Sequence, residues 1–185
     1  MEAHLLTSAT ARPAIEEALK MAKGKSHIAV NLQGITSWDK HADITEMIAS
    51  QADIVIGNQE EQAAFQSIAH SFQRSEGQIV ITTKGENGVE AVQGDEKFEV
   101  AAKAPKNFVS SVGAGDGFIA GFLLAQSKGK GIEESMKYGV QVATAILEEQ
   151  GARPPANKSL VPLFPSEEDR TALGLPAREP KIGKP

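Results

Sequence analysis

The sequence predicts an α/β fold, a mostly parallel sheet with an edge hairpin, and three observations carry that expectation. Helical and strand patterns alternate through the first half of the chain, the signature of parallel strands joined by helical crossovers. Around Gly94-Asp95 this alternation gives way to two short runs of period two, which mark a hairpin at the edge or rim of the sheet. Beyond the hairpin, a glycine-rich loop opens directly into two helical segments.

Taken in order, Pro13 suits the first turn of a helix over residues 13–23, with Ile15, Leu19 and Ala22 on one face. IAVNLQG (28–34) is a short apolar run closed by glycine and reads as a buried strand. Residues 42–50 return to helical spacing with Ile44, Met47 and Ile48, and DIVIGN (53–58) is a second buried strand. A helix over 60–71 and a third strand, QIVITT (78–83), complete the alternating half. After the hairpin, Phe118, Ile119, Phe122 and Leu123 form the apolar face of a helix stopped by Lys128-Gly129. A last helix over 132–149 carries Ile132, Met136, Val140, Ala143 and Leu147 at helical spacing and stops at Gly151. Glycines from 85 to 139 fall mostly at the joints between these segments. Most of the nine prolines lie from Pro154 onward, where periodicity fades, so the expected organisation is one domain over 1–155 and a poorly packed tail over 156–185.

Composition narrows the function classes. A chain of 185 residues with 41% hydrophobic and 23% charged residues buries a real core. Its net charge of -5 argues against nucleic acid or an anionic membrane as the main partner, because both reward clustered basic residues. With no cysteine there is no thiolate metal site and no cysteine nucleophile. The four histidines (4, 27, 41, 70) show no metal-ligand spacing, and Trp38 and Tyr138 are too isolated to stack bases. The N-terminus has no secretory pattern and no stretch reaches the apolar length of a membrane span, so the expected protein is soluble and cytoplasmic.

Three segments are able to carry chemistry. The sharpest is Ser110-Ser111-Val112-Gly113-Ala114-Gly115-Asp116-Gly117, whose glycines let backbone N–H groups approach an anion at a helix N-terminus. A carboxylate beside such an anion hole is what phosphoryl transfer to an alcohol requires, a base for the hydroxyl and donors for the transferring charge. The plainer alternative makes Asp116 a helix cap and the glycines a turn. Gly115, Gly117 and Ala120 also match the relaxed dinucleotide fingerprint, but the acidic candidates downstream, Glu133 and Glu134, open a helix instead of ending a strand, which disfavours an oxidoreductase. The second segment, Asn58-Gln59-Glu60-Glu61, stands at a strand's C-terminal end, where a carboxylate and an amide suit Mg²⁺ or its waters; as a plain structure it is a capping box. The third, Thr83-Lys84-Gly85-Glu86-Asn87-Gly88, also follows a strand and is either a nucleotide-pocket lining or the turn into the hairpin.

The order of these segments closely resembles that of the ribokinase-like PfkB family of carbohydrate and nucleoside kinases. N-x-x-E (Asn58 to Glu61), T-x-G-x-x-G (Thr83 to Gly88), GAGD with F-x-A-G-F (Gly113 to Phe122), and a helix ending in G-A-R-P (Gly151 to Pro154) occur in series. The resemblance runs from about residue 5 to 155 and implies a three-layer α/β/α fold, ATP as phosphoryl donor, Mg²⁺ as bridging ion, often a monovalent cation such as K⁺, and a sugar or nucleoside as acceptor. Carried over by position, it makes Asp116 the catalytic base and Gly113, Ala114 and Gly115 the anion hole. It assigns Asn58 and Glu61 to Mg²⁺ and phosphates, Thr83, Gly85 and Gly88 to the nucleotide-side loop, and Gln141 to the neighbourhood of adenine.

Two departures stand out. The family usually writes Asp-Thr where this chain has Ser110-Ser111, which is reminiscent of the phosphofructokinase branch and removes a carboxylate from the monovalent-cation site. The VATAILEEQ helix and its Gly-Ala-Arg-Pro ending look more like bacterial adenosine-kinase-type members. The chain is also shorter than full-length members, and the missing part is the N-terminal half with its first strands, Gly-Gly acceptor motif and β lid. The resemblance therefore implies the phosphate and nucleotide side of a kinase, active alone or with an N-terminal partner chain, or else a nucleotide-binding or interaction module that has lost catalysis. Uncovered strand edges predict a homodimer or marginal stability.

Overall fold

The structure, a computed structural model, describes residues 1–35 and 37–151. The chain divides into two compact units, Met1–Ala104 and Pro105–Pro185. The expected tail over 156–185 lies outside the described residues, as do Ala152 to Pro154 of the Gly-Ala-Arg-Pro ending.

The first unit is built on one five-stranded mixed sheet. Its strands are β1 (Ala29–Asn31), β2 (Ile54–Asn58), β3 (Ile79–Thr83), β4 (Val89–Gln93) and β5 (Glu96–Val100), in the spatial order β1-β2-β3-β4-β5. β1, β2 and β3 run parallel, with Val30 opposite Val55 and Val55 opposite Val80. β4 and β5 are antiparallel and form the expected edge hairpin, turning at Gly94-Asp95 with Gly94 at φ 58°. Helical crossovers α1 (Arg12–Ala22), α2 (Ala42–Gln51) and α3 (Gln59–Ala69) connect these strands or precede them, within one or two residues of the predicted bounds. The parallel strands are apolar because they are buried: every residue of β2 before Asn58 is buried.

All three helices contribute to a single core on one face of this sheet. Val30 and Val55 from the strands, with Leu32 just past the end of β1, pack onto Ile44, Ile48, Phe65 and Ala69, and Ile15 of α1 packs at the margin. Trp38 closes the cluster edge-on against Phe65, ring centroids 5.0 Å apart at 76°. Trp38 is thereby a core residue. On α3 the buried Gln62 donates its amide to the carbonyls of Val55 (3.3 Å) and Ile81 (2.9 Å), which docks the helix across two strands.

The described part of the second unit is a helical hairpin, α4 (Ala114–Ser127) and α5 (Ile132–Leu147). Glycine lets the two helices approach closely. A Cβ on Gly121 would lie 2.9 Å from the Gly139 Cα and the Tyr138 carbonyl oxygen, and one on Gly139 would lie 2.8 Å from the Phe118 carbonyl oxygen. This contact corrects the predicted stripes. On α4 the buried residues are Gly117, Phe118, Gly121, Phe122 and Ala125, with Ile119 and Leu123 only half-buried. On α5 they are Ser135, Met136, Gly139, Val142, Thr144 and Ile146, and of the predicted stripe only Met136 is fully buried. These glycines are packing positions inside helices, not joints between segments. α4 stops as expected, with Gly129 at φ 73°, whereas α5 stops at Leu147, short of Gly151.

Candidate functional site

At the C-terminal end of the parallel strands, Asn58 and Thr83 are direct register partners. Asn58 ends β2 and caps α3: its Oδ1 accepts the Glu61 N–H at 2.9 Å, and Glu61 Oε2 accepts the Asn58 N–H at 2.8 Å. The capping box is therefore formed. It leaves the second oxygen of Glu61 and the outer face of an exposed Asn58 at the strand edge. Sequence reasoning overlooked Gly57, which makes the arrangement possible. A Cβ there would stand 3.2 Å from both Cβ and Oε2 of Glu61 and 3.1 Å from Leu32 Cδ1.

No group of three or more His, Asp or Glu side chains able to hold a metal occurs among the described residues. One carboxylate and one amide oxygen at a strand end are nevertheless the donor set that suits Mg²⁺, which keeps several waters and takes one or two protein carboxylates together with phosphate oxygens. Asn58 and Glu61 fit that requirement. A monovalent cation is a poorer match, because Ser110 supplies only a hydroxyl, which accepts the Val112 N–H at 3.2 Å.

The segment Thr83–Gly88 joins β3 to β4. Gly85 (φ 58°) and Gly88 (φ 91°) have backbone conformations that disfavour other residues, but their surroundings differ. A Cβ on Gly85 would meet nothing within 4 Å, whereas one on the buried Gly88 would stand 2.2 Å from the Val100 carbonyl oxygen. Gly88 shapes the loop against β5, and Gly85 keeps its outer face open. The Gly85 and Glu86 amides donate to no protein group among the described residues.

In the second unit, Gly113 is the N-cap of α4 in the left-handed conformation, φ 82°. Ala114 donates to the Ser111 carbonyl (3.2 Å) and Gly117 to that of Gly113 (2.9 Å), while the N–H groups of Gly115 and Asp116 between them have no protein acceptor among the described residues. No side chain caps this helix. Asp116 is exposed in the first turn and makes no hydrogen bond or ion pair among the described residues, so it is not the cap. The result is two unsatisfied amides at the positive end of a 14-residue helix with an unpaired carboxylate beside them. The approach segment is held by α5: Lys106 N–H donates to Glu148 Oε1 (2.7 Å) and Val109 N–H to the Leu147 carbonyl (2.8 Å). Gln141 is exposed on α5.

This geometry disfavours the dinucleotide fingerprint. Residues 101–113 form no strand, and Gly117, its second glycine, faces Ile146 Cδ1 at 2.3 Å from where a Cβ would be, not a ligand.

Comparison with known proteins bears on the same residues. The family model described as pfkB family carbohydrate kinase matches residues 2–159. The chain is 29% identical over 119 residues to a cytidine kinase of Thermococcus kodakarensis, a stretch covering 60% of this chain and 43% of that one. Among solved structures, it resembles the adenosine kinase from Sinorhizobium meliloti with a TM-score of 0.73 at 27% identity, over 83% of this chain and 49% of that one. It shares its fold with an uncharacterized sugar kinase from Pyrococcus horikoshii in complex with ATP, with a TM-score of 0.70 at 22% identity, over 82% and 51% of the two chains. The chain thus spans about half the length, or less, of these relatives. The mixed sheet is the ribokinase-like one, and the chain belongs to the pfkB family of carbohydrate kinases.

Proposed function

We propose that the chain supplies the phosphate and nucleotide side of an ATP-dependent phosphotransferase that acts on a hydroxyl of a sugar or nucleoside. The observation that carries the proposal is the N-terminus of α4, where Gly115 and Asp116 offer two free amides beside an exposed, unpaired carboxylate. In that reading Asp116 accepts the proton of the acceptor hydroxyl as its oxygen attacks the γ-phosphorus of ATP. The attacking oxygen forms a bond to phosphorus and the bond to the ADP oxygen breaks. Gly113, Ala114 and Gly115 keep backbone close to the transferring group without a long side chain in the way, so the amides receive charge as it develops. Thr83 and Gly85 line the nucleotide side with a hydroxyl and open backbone, Gly88 holds their loop in shape, and Gln141 borders the base. Asn58 and Glu61 would hold Mg²⁺, which would supply positive charge to the phosphate oxygens.

The relatives include two nucleoside kinases and the family is one of carbohydrate kinases, which supports the acceptor class without choosing within it. A second reading is a nucleotide-binding module without catalysis. ADP release measured against sugars, sugar phosphates and nucleosides separates the two, with the 185-residue chain alone and with an N-terminal partner chain. Turnover under either condition supports the kinase. ATP binding without turnover in both supports the module. Within the kinase reading, Asp116→Asn lowers turnover at least about 10²-fold while the Kd for ATP changes little, and unchanged turnover refutes Asp116 as base. No described helix is long and apolar enough to cross a membrane.

A further inference from the structure

Outside the residues given a role so far, four charges, Lys84, Glu90, Lys97 and Glu99, form a connected set that ends in the nucleotide-side loop. We infer that the Lys84–Glu90 ion pair is the strut that fixes the Thr83–Gly88 loop, which makes Glu90 a positioning residue for ATP. The inference rests on the reading of Thr83 and Gly85 as nucleotide-side residues. Three backbone bonds give the loop its form: Lys84 N–H to the Gly88 carbonyl (2.8 Å), Asn87 N–H to that of Lys84 (3.1 Å), and Gly88 N–H to that of Gly85 (3.1 Å). Gly85, Glu86 and Asn87 are exposed, and two of the six residues are glycines, so ordering this tip costs more conformational entropy than an average turn.

A side-chain anchor offsets that cost, and among the described residues only one touches the loop. Lys84 Nζ lies 2.6 Å from Glu90 Oε2, and both side chains are largely covered, 27% and 21% exposed. Glu90 stands opposite Thr82 in the β3–β4 register, so its carboxylate sits beside the strand that leads into the loop. The same oxygen receives Lys97 of β5 at 3.0 Å, and Lys97 also reaches Glu99 at 2.9 Å. The ammonium of Lys84 is thus tied through Glu90 to the edge hairpin. A short, partly shielded charged bond with a second cation behind it is stronger than an isolated surface pair. With Lys84 held there, the free amides of Gly85 and Glu86 stay in one arrangement for an incoming phosphate.

The test uses the 185-residue chain, with Mg·ATP titration and amide hydrogen exchange as separate readouts. Glu90→Gln is expected to raise the Kd for ATP about five- to tenfold, less than the full worth of one charge-assisted bond because the pair is partly exposed. It is also expected to speed exchange at Asn87 and Gly88 by a similar factor, leaving Ile54 to Asn58 unchanged. Lys84→Met is expected to do the same, and the double variant no more than either single change. Unchanged exchange at Asn87 and Gly88 in Glu90→Gln overturns the strut, as do tighter ATP binding or additive single effects. A wild-type chain that binds no ATP refutes the nucleotide reading instead, and the strut is then decided by exchange alone.

Discussion

Replacing Gly121 by alanine adds one methyl group where two helices touch through their backbones, so its effect on stability can be worked out from distances. In an open helix the change is favourable by about 0.5–1 kcal/mol, because alanine restricts the unfolded chain and suits the helix better. At Gly121 the new Cβ meets the Gly139 Cα, the Tyr138 carbonyl oxygen and Val142 Cγ2, each at 2.9 Å. Two of those atoms are backbone, so α4 and α5 must separate by several tenths of an ångström to restore ordinary contact, at an overpacking cost of about 1–3 kcal/mol. The net expectation is a loss of about 0.5–2 kcal/mol, or roughly 1–8 °C in Tm for a chain of this size. Gly115→Ala is the paired measurement, since its Cβ would meet nothing within 4 Å, and there the same chemical change is expected to leave Tm level or raise it. Urea and thermal unfolding followed by circular dichroism give both values. A Gly121→Ala variant as stable as the wild type, or the same sign for both substitutions, refutes the close backbone packing of α4 on α5.

Asn58→Ala removes the side-chain half of the capping box; urea unfolding is expected to show a loss of about 1 kcal/mol, and titration a weaker Mg²⁺ dependence of ATP binding. Acid adds a further expectation. Lys84 first and Lys97 second hold the Glu90 carboxyl below its ordinary range. Because the folded value is depressed, the stability Glu90 contributes is present above its unfolded pKa and disappears as pH falls through the lower folded value. Glu90→Gln is accordingly expected to flatten the part of the stability–pH profile below about pH 4.3, and chemical unfolding at stepped pH checks it.

Elements whose evidence is local were legible in the sequence. The strand Ile54–Asn58 announces itself as an apolar run between a helix and an acidic turn, and the β4–β5 hairpin by its period and by Gly94-Asp95. The positions of Asn58, Thr83 and Asp116 are legible for the same reason: each ends a strand or opens a helix. What escaped depends on partners far along the chain. Helical spacing puts Val140 and Leu147 in the α5 stripe because it marks apolar residues and gives no weight to glycine, yet Gly139 is where α4 comes closest. Gly57 carries no signal in the sequence because only Leu32 and Glu61, brought beside it by folding, show that a side chain would collide there. The Lys84–Glu90 bond required the β3–β4 register, which no short-range pattern displays.

Gly113 to Gly117 show how one glycine-rich loop divides its work. Gly113 turns the chain through a left-handed conformation, and Gly115 leaves the space beside the free amides empty. Gly117 faces inward, with Ile146 Cδ1 where its Cβ would be, so the turn that carries Asp116 is pressed onto α5. The carboxylate consequently projects from a packed helix whose depth is set by a glycine contact, and the preceding segment is tied to the end of the same α5 through Leu147 and Glu148. The proposed base and anion hole would have to agree to within a fraction of an ångström, and reference to one rigid element serves that requirement. In this unit α5 is that element, although the residue expected to border the nucleotide, Gln141, is its most modest contribution; its larger one is to hold both the loop and the carboxylate in register.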